Sequence, residues 1–242
     1  MKDEIILRKQ AAEFRQLNGF NNTEPIRVTS LLMKLNVLTV FKKLGENISG
    51  MSVKVDDENK FMVINSEKTL GRQHFTICHE LYHLFLQSDF ASMMCNAGEF
   101  PAKDRLEYKA DIFASYLLIP DDGLLSQIPV NELSKNKISI ETIVKLEQYF
   151  SCSRNALLVR LDKMKLIDYT NYEKFLKNVS LSAIMLGYDT RLYVKGNVGK
   201  IIGDYGEIAK RLFENNKMSE QHYIALMHDI GIDIENTKLE NG

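Results

Sequence analysis

The stretch "QHFTICHELYHLFL", residues 73–86, decides how this chain is read. It holds two of the five histidines, His79 and His83, four residues apart, with Glu80 directly after the first. On a helix, residues i and i+4 share a face about one turn apart. The two imidazoles therefore point the same way and are close enough to bind one ion at about 2.0–2.1 Å. Glu80 projects about 100° further round. That sets its carboxylate beside such an ion, where a general base for an activated water belongs. Ile77, Leu81, Leu84 and Phe85 fall on the opposite side, which predicts a helix with one metal face and one core face.

Working outward, "LTVFK", "GMSVKV" and "FMVIN" alternate with period two. They predict three short strands, the last two joined by the polar turn "DDENK" at 56–60. The expected fold class is α+β, a small antiparallel three-stranded sheet packed with a helical core. Before the strands, "PIRVTSLLMKLNV" (25–37) has helical spacing, with Pro25 suited to the start. Residues 1–24 read as a polar helical lead-in. After the motif helix, expected over 69–86, comes the irregular "QSDFASMMCNAGEFPAKD" (87–104). Loops of that length are uncommon unless functional or mobile. Met93 and Met94 within it either anchor it on the core or contact an apolar substrate.

A second helix, "RLEYKADIFASYLLI" (105–119), stops at Pro120. Its Glu107 and Asp111 are four apart and share a face, while Ala110 and Ala114 keep the helix slim enough to approach the first. A catalytic zinc ordinarily has three protein ligands plus water. Glu107 is the third ligand by this reading, and Asp111 would hold the other ring nitrogen of a histidine ligand. Two more helices are expected within 140–164, with Ser153 as an N-cap. The remainder, 166–242, is punctuated by glycines, with helices near 206–215 and 219–229. It reads as a mainly helical C-terminal region with a partner-binding role.

Composition bounds the rest. The chain has 242 residues, a formal net charge of −1, three cysteines and 45% hydrophobic residues. That is an ordinary globular composition without a whole-chain attraction for nucleic acid or anionic membrane. The start "MKDEIILRKQAAEF" lacks the apolar core of a secretory signal, and no apolar run is long enough to span a bilayer. Few, unclustered cysteines suit a reducing compartment, so a cytoplasmic location is expected. Residues 133–165 have a helix-turn-helix cadence and seven Lys/Arg against three Asp/Glu. A solvated basic face explains that as well as DNA binding does, so direct nucleic-acid binding is not expected.

"FTICHELYHLFL" followed by "EYKADIFASYLLIP" resembles the ImmA/IrrE family of zinc metallopeptidases, whose pattern is roughly FTxAHELGH, then ExxAxxFAxxLLMP. "GMSV", "FMVIN", "GRQHFT" and "LEQYFSCSRNALLVRL" extend the likeness over roughly residues 25–165, the expected peptidase domain. The resemblance implies a gluzincin-like fold, Zn2+ on His79, His83 and Glu107, and Glu80 as the catalytic carboxylate. It also implies a substrate: a helix-turn-helix repressor of a phage, mobile element or toxin–antitoxin operon. Tyr82, Cys78 and Ile119 depart from the usual glycine, alanine and methionine, and none is at a metal-binding position. A regulator that sequesters such a partner without cutting it is the alternative. A deformylase-type hydrolase is disfavoured, because it wants a cysteine ligand upstream and none precedes Cys78. The oxyanion donor stays open among Tyr108, Tyr116 and the 87–104 stretch.

Overall fold

A computed structural model describes residues 2–88, 92–95, 97–98, 105–229 and 232. The chain is α+β. Helix α1 (Lys2–Leu17) leads into α2 (Val28–Lys34), then strands β1 (Val37–Lys42), β2 (Gly50–Lys54) and β3 (Lys60–Asn65). The motif helix is α3 (Leu70–Phe85), followed by β4 (Ser92–Cys95) and the second acidic helix α4 (Arg105–Leu118). Beyond lie α5 (Asp121–Gln127), α6 (Ile140–Phe150), α7 (Arg154–Lys163), α8 (Tyr169–Phe175) and α9 (Val179–Met185). Strand β5 (Ile201–Ile202), α10 (Tyr205–Glu214) and α11 (Glu220–Asp229) complete the described chain.

The sheet corrects the three-stranded antiparallel expectation. Among the described residues it has five strands in the order β4-β2-β3-β1-β5 and is mixed. The β2–β3 hairpin is antiparallel as expected, but β1 runs parallel to β3, with Val37 opposite Lys60 and Lys42 opposite Asn65. The reason lies in the connection: from β1 the chain crosses to β2, which turns back, leaving β3 aligned with β1. The two further strands correct two more expectations, β4 arising within the 87–104 stretch read as irregular and β5 within the C-terminal region read as mainly helical.

Helix α3 also differs from the two-faced expectation, because it is buried on every side. Phe75 through Leu84 are all buried, His79, Glu80 and His83 among them. Sheet residues lie on one flank and α4 on another. The close approach to the sheet needs Gly50: a Cβ there would lie 2.8 Å from Thr76 Cγ2 and 3.1 Å from the Val63 carbonyl oxygen.

Nor does α1 merely lead in. It packs along α4, burying Leu7, Ala11 and Phe14. Its Arg15 is fully buried and donates to the Leu117 carbonyl near the end of α4 and to the Asn21 carbonyl. Burial lowers that guanidinium's pKa to about 10. The C-terminal region joins the same sheet through β5, and Gln73 of α3 donates to the Gly196 carbonyl at 3.0 Å. Ser153 caps α7 as expected, accepting from Ala156 N–H. Gly231, a glycine suited to stop the helix expected over 219–229, lies outside the described residues. Among the described residues, no helix is long and apolar enough to cross a membrane.

Gly50→Ala is expected to lower stability by about 1–3 kcal/mol, because the added carbon overpacks a rigid contact. Gly45→Ala, at a position with nothing within 4 Å, is expected to leave the urea midpoint unchanged. Equal midpoints for the two variants would contradict this account of the α3–sheet contact.

Candidate metal centre

Helix α3 presents His79 and His83 on one face, and their Nε2 atoms lie 3.1 Å apart. Glu107 reaches them from the first turn of α4, with Oε2 3.2 Å from His79 Nε2 and Oε1 3.2 Å from His83 Nε2. A tetrahedral ion with bonds of about 2.0–2.1 Å sets its ligand atoms about 3.3 Å apart. The two imidazole nitrogens stand near that spacing, each faces one oxygen of the Glu107 carboxylate, and two imidazoles with a carboxylate are a suitable donor set.

The other ring nitrogens are engaged. His79 Nδ1 lies 2.8 Å from Asp111 Oδ1, one turn along α4 from Glu107. Asp111 is itself fixed by the Gly98 N–H, which donates at 2.7 Å. His83 Nδ1 lies 2.5 Å from Gln87 Oε1, just past the end of α3. These contacts hold each ring with its Nε2 toward Glu107, the usual arrangement around a metal-binding histidine.

Electrostatics favour positive charge here. Burial alone would depress the imidazolium of His79, but Asp111, Cys95 and Glu107 outweigh it and raise its pKa well above the ordinary value. Burial works against the ionised Glu107, yet His79 and His83 hold its carboxyl down to about 2. The ionised carboxyl of Glu107 is thus paired with the imidazoles, and a divalent cation among them would bind by displacing the proton of His79.

Glu80 points to the sheet side of this triangle. Its Oε2 accepts from Ser52 Oγ of β2 at 2.5 Å, and its Oε1 accepts from Cys95 Sγ of β4 at 2.5 Å. Glu80, Ser52 and Cys95 are all buried. Burial and the charge of Glu80 push the Cys95 thiol up to about 12.

His79, His83, Glu107, Asp111 and Glu80 are thus brought together. Tyr116 is not: its hydroxyl donates to Glu4 at 3.1 Å and its ring lies under Arg160, on the α1 and α7 side of α4. Tyr108 is half-buried against the core. The side chains of Met93 and Met94, and the parts of 87–104 outside residues 87–88, 92–95 and 97–98, lie outside the described residues. Reading the sequence missed Ser52, Gln87, Gly98 and Cys95. Only Gln87 carried a signal, being four residues from His83 at the helix end.

The family model described as "IrrE N-terminal-like domain" matches residues 32–162, more than half of the chain. The chain belongs to the ImmA/IrrE family of metallopeptidases. It is similar to "Uncharacterized immunity region protein 2" of Bacillus phage phi105, at 28% identity over 57% of this chain and 84% of that protein. It is also similar to "Metallopeptidase ImmA" of Bacillus subtilis (strain 168), at 33% identity over 32% of this chain and 46% of that protein. The family match covers α3, β4 and α4, and with them every donor of the ImmA/IrrE-like centre described above.

Asp111→Asn keeps the shape of the site but removes the charge that orients His79. It is expected to weaken divalent-metal affinity by about 10–100-fold, read by competition with a chromophoric chelator. Unchanged affinity would mean that Asp111 serves only to hold the Gly98 backbone.

Proposed function

We propose that this protein is a zinc-dependent endopeptidase that cleaves a specific protein, a helix-turn-helix repressor of a phage, mobile element or toxin–antitoxin operon. His79, His83 and Glu107 hold the zinc, Asp111 orients His79, and Glu80 is the catalytic carboxylate. The observation that carries this reading is the carboxylate of Glu80, buried beside the donor triangle and not one of its three members. A purely structural metal site has no use for it. Family membership supports the peptidase activity, and the immunity-region name of the phage relative supports a repressor as substrate.

His79, His83 and Glu107 would hold the zinc, which would supply Lewis-acid activation of the attacking water. The protein's own part is proton handling and alignment. Glu80, with Oε2 fixed by Ser52, would take the proton of the attacking water on Oε1, in place of its contact with the Cys95 thiol, and pass it to the leaving amine. Burial of the whole α3 face keeps bulk water from competing and strengthens each of these interactions.

The basic cadence of 133–165 gives little support to DNA binding. Arg154 is buried in a pair with Glu147, Arg160 is buried against Asp121, and Lys163 pairs with Glu4 at 3.0 Å. Three of the seven cations are thus committed inside the fold. In this proposal the C-terminal region contributes to choosing the partner.

Co-expression with a helix-turn-helix repressor from the same operon, identified by sequencing around the gene, followed by intact-mass analysis, tests the proposal. Fragments are expected with wild type, and cleavage at least about 10²-fold slower is expected with Glu80→Gln, which retains zinc. An intact partner co-purifying equally with both versions would replace the peptidase with a sequestering regulator.

A further inference from the structure

We infer that Cys95 is a fourth, displaceable ligand of the metal, its sulfur closing the position that His79, His83 and Glu107 leave open to water. The inference rests on the metal-binding reading of those three residues. Strand β4 pairs antiparallel with β2, and its last residue, Cys95, stands opposite Gly50. Gly50 also faces Glu80, since a Cβ built on it would lie 3.3 Å from Oε1. The Ser49 N–H donates to the Cys95 carbonyl at 2.8 Å and fixes the strand end in that register. The thiol is thereby aimed at the base of the motif helix, where it donates to Glu80 Oε1 at 2.5 Å.

Two clusters of metal-binding atoms result, and they share His79. One is His79, His83 and Glu107; the other is His79, Glu80 and Cys95, with the donor atoms of each within 4.8 Å of one another. Zinc binds thiolate at about 2.3 Å and imidazole at about 2.0–2.1 Å, so tetrahedral neighbours of these two kinds lie about 3.6 Å apart. A sulfur held against Glu80 and within 4.8 Å of a His79 ring nitrogen has to swing toward His83 and Glu107, whose cluster it does not share, to fill the fourth corner. The proton balance closes within the site. The S–H bond breaks, its proton passes along the existing hydrogen bond to Glu80 Oε1, and the sulfur lone pair goes to the cation. Glu80 is then protonated and unable to act as a base, so ligation switches off both the open position and the carboxylate.

The same strand covers the outer edge of β2, the edge to which an extended substrate would add as a strand. Withdrawal of β4 therefore frees a backbone edge, the fourth metal position and Glu80 Oε1 in one movement. A partner that competes for the β2 edge would itself open the site, which restrains proteolysis until that partner arrives.

Cobalt substitution of the full chain tests this, because a thiolate on Co2+ gives an intense near-ultraviolet charge-transfer band that nitrogen and oxygen ligands do not. Among the described residues, Cys78 and Cys152 belong to neither cluster, so they contribute no band. One Co2+ per chain is expected in wild type, Cys95→Ala and Cys95→Ser alike, with the visible ligand-field bands of a bound ion in each. The charge-transfer band is expected in wild type and lost in both variants. Bound cobalt without that band in wild type, or a band that survives in the variants, overturns the inference and leaves the metal centre standing. Failure of all three proteins to bind cobalt overturns both.

Discussion

The constraint on which the rest of the structure depends is that α3 is buried on every side while carrying two imidazoles and a carboxylate. Removing such groups from water without partners costs several kcal/mol each, far more than the marginal stability of a domain tolerates. Each is therefore met by a group from another element. Glu107 and Asp111 come from α4, Ser52 from β2, Cys95 from β4 and Gln87 from just beyond the helix end. The fold can be seen as the means of bringing these elements to one helix. Gly50 lets the sheet close on α3, Ala110 and Ala114 lie buried on α4, and α1 backs α4 through Phe14 and the buried Arg15.

A centre built this way is preorganised. The donors stand 3.1–3.2 Å apart because the backbone of two packed helices holds them there. Asp111 and Glu107 concentrate negative charge on one side, and the result is a site suited to a cation. Glu80 is held on the other side by a hydroxyl and a thiol, so its orientation does not depend on solvent. Beyond the centre, charge is used for cohesion. The Arg154–Glu147 pair is buried and also engages Tyr193, tying α6 and α7 to the C-terminal region.

Much of the centre was legible in the sequence because its geometry is local to two helices. The i,i+4 spacing of His79 and His83, and of Glu107 and Asp111, sets which side chains share a face whatever the tertiary fold. What was not legible depends on strand register. Nothing in "SMMC" signals that it forms a strand, or that Cys95 pairs with Gly50 and so meets Glu80. The parallel β1–β3 pairing likewise depends on how the chain crosses the sheet, and alternation of residues is the same for either direction. Helices α5, α8 and α9 span seven residues each, too short for periodicity to reveal.

The central claim is that one zinc ion sits among His79, His83 and Glu107. Anomalous scattering from a crystal of the full chain, collected on both sides of the zinc absorption edge, tests it most directly. The account predicts one anomalous peak per chain, about 2.0–2.2 Å from the Nε2 atoms of His79 and His83 and from a Glu107 oxygen. A zinc-saturated crystal with no peak there, or with its peak on other residues, would contradict it.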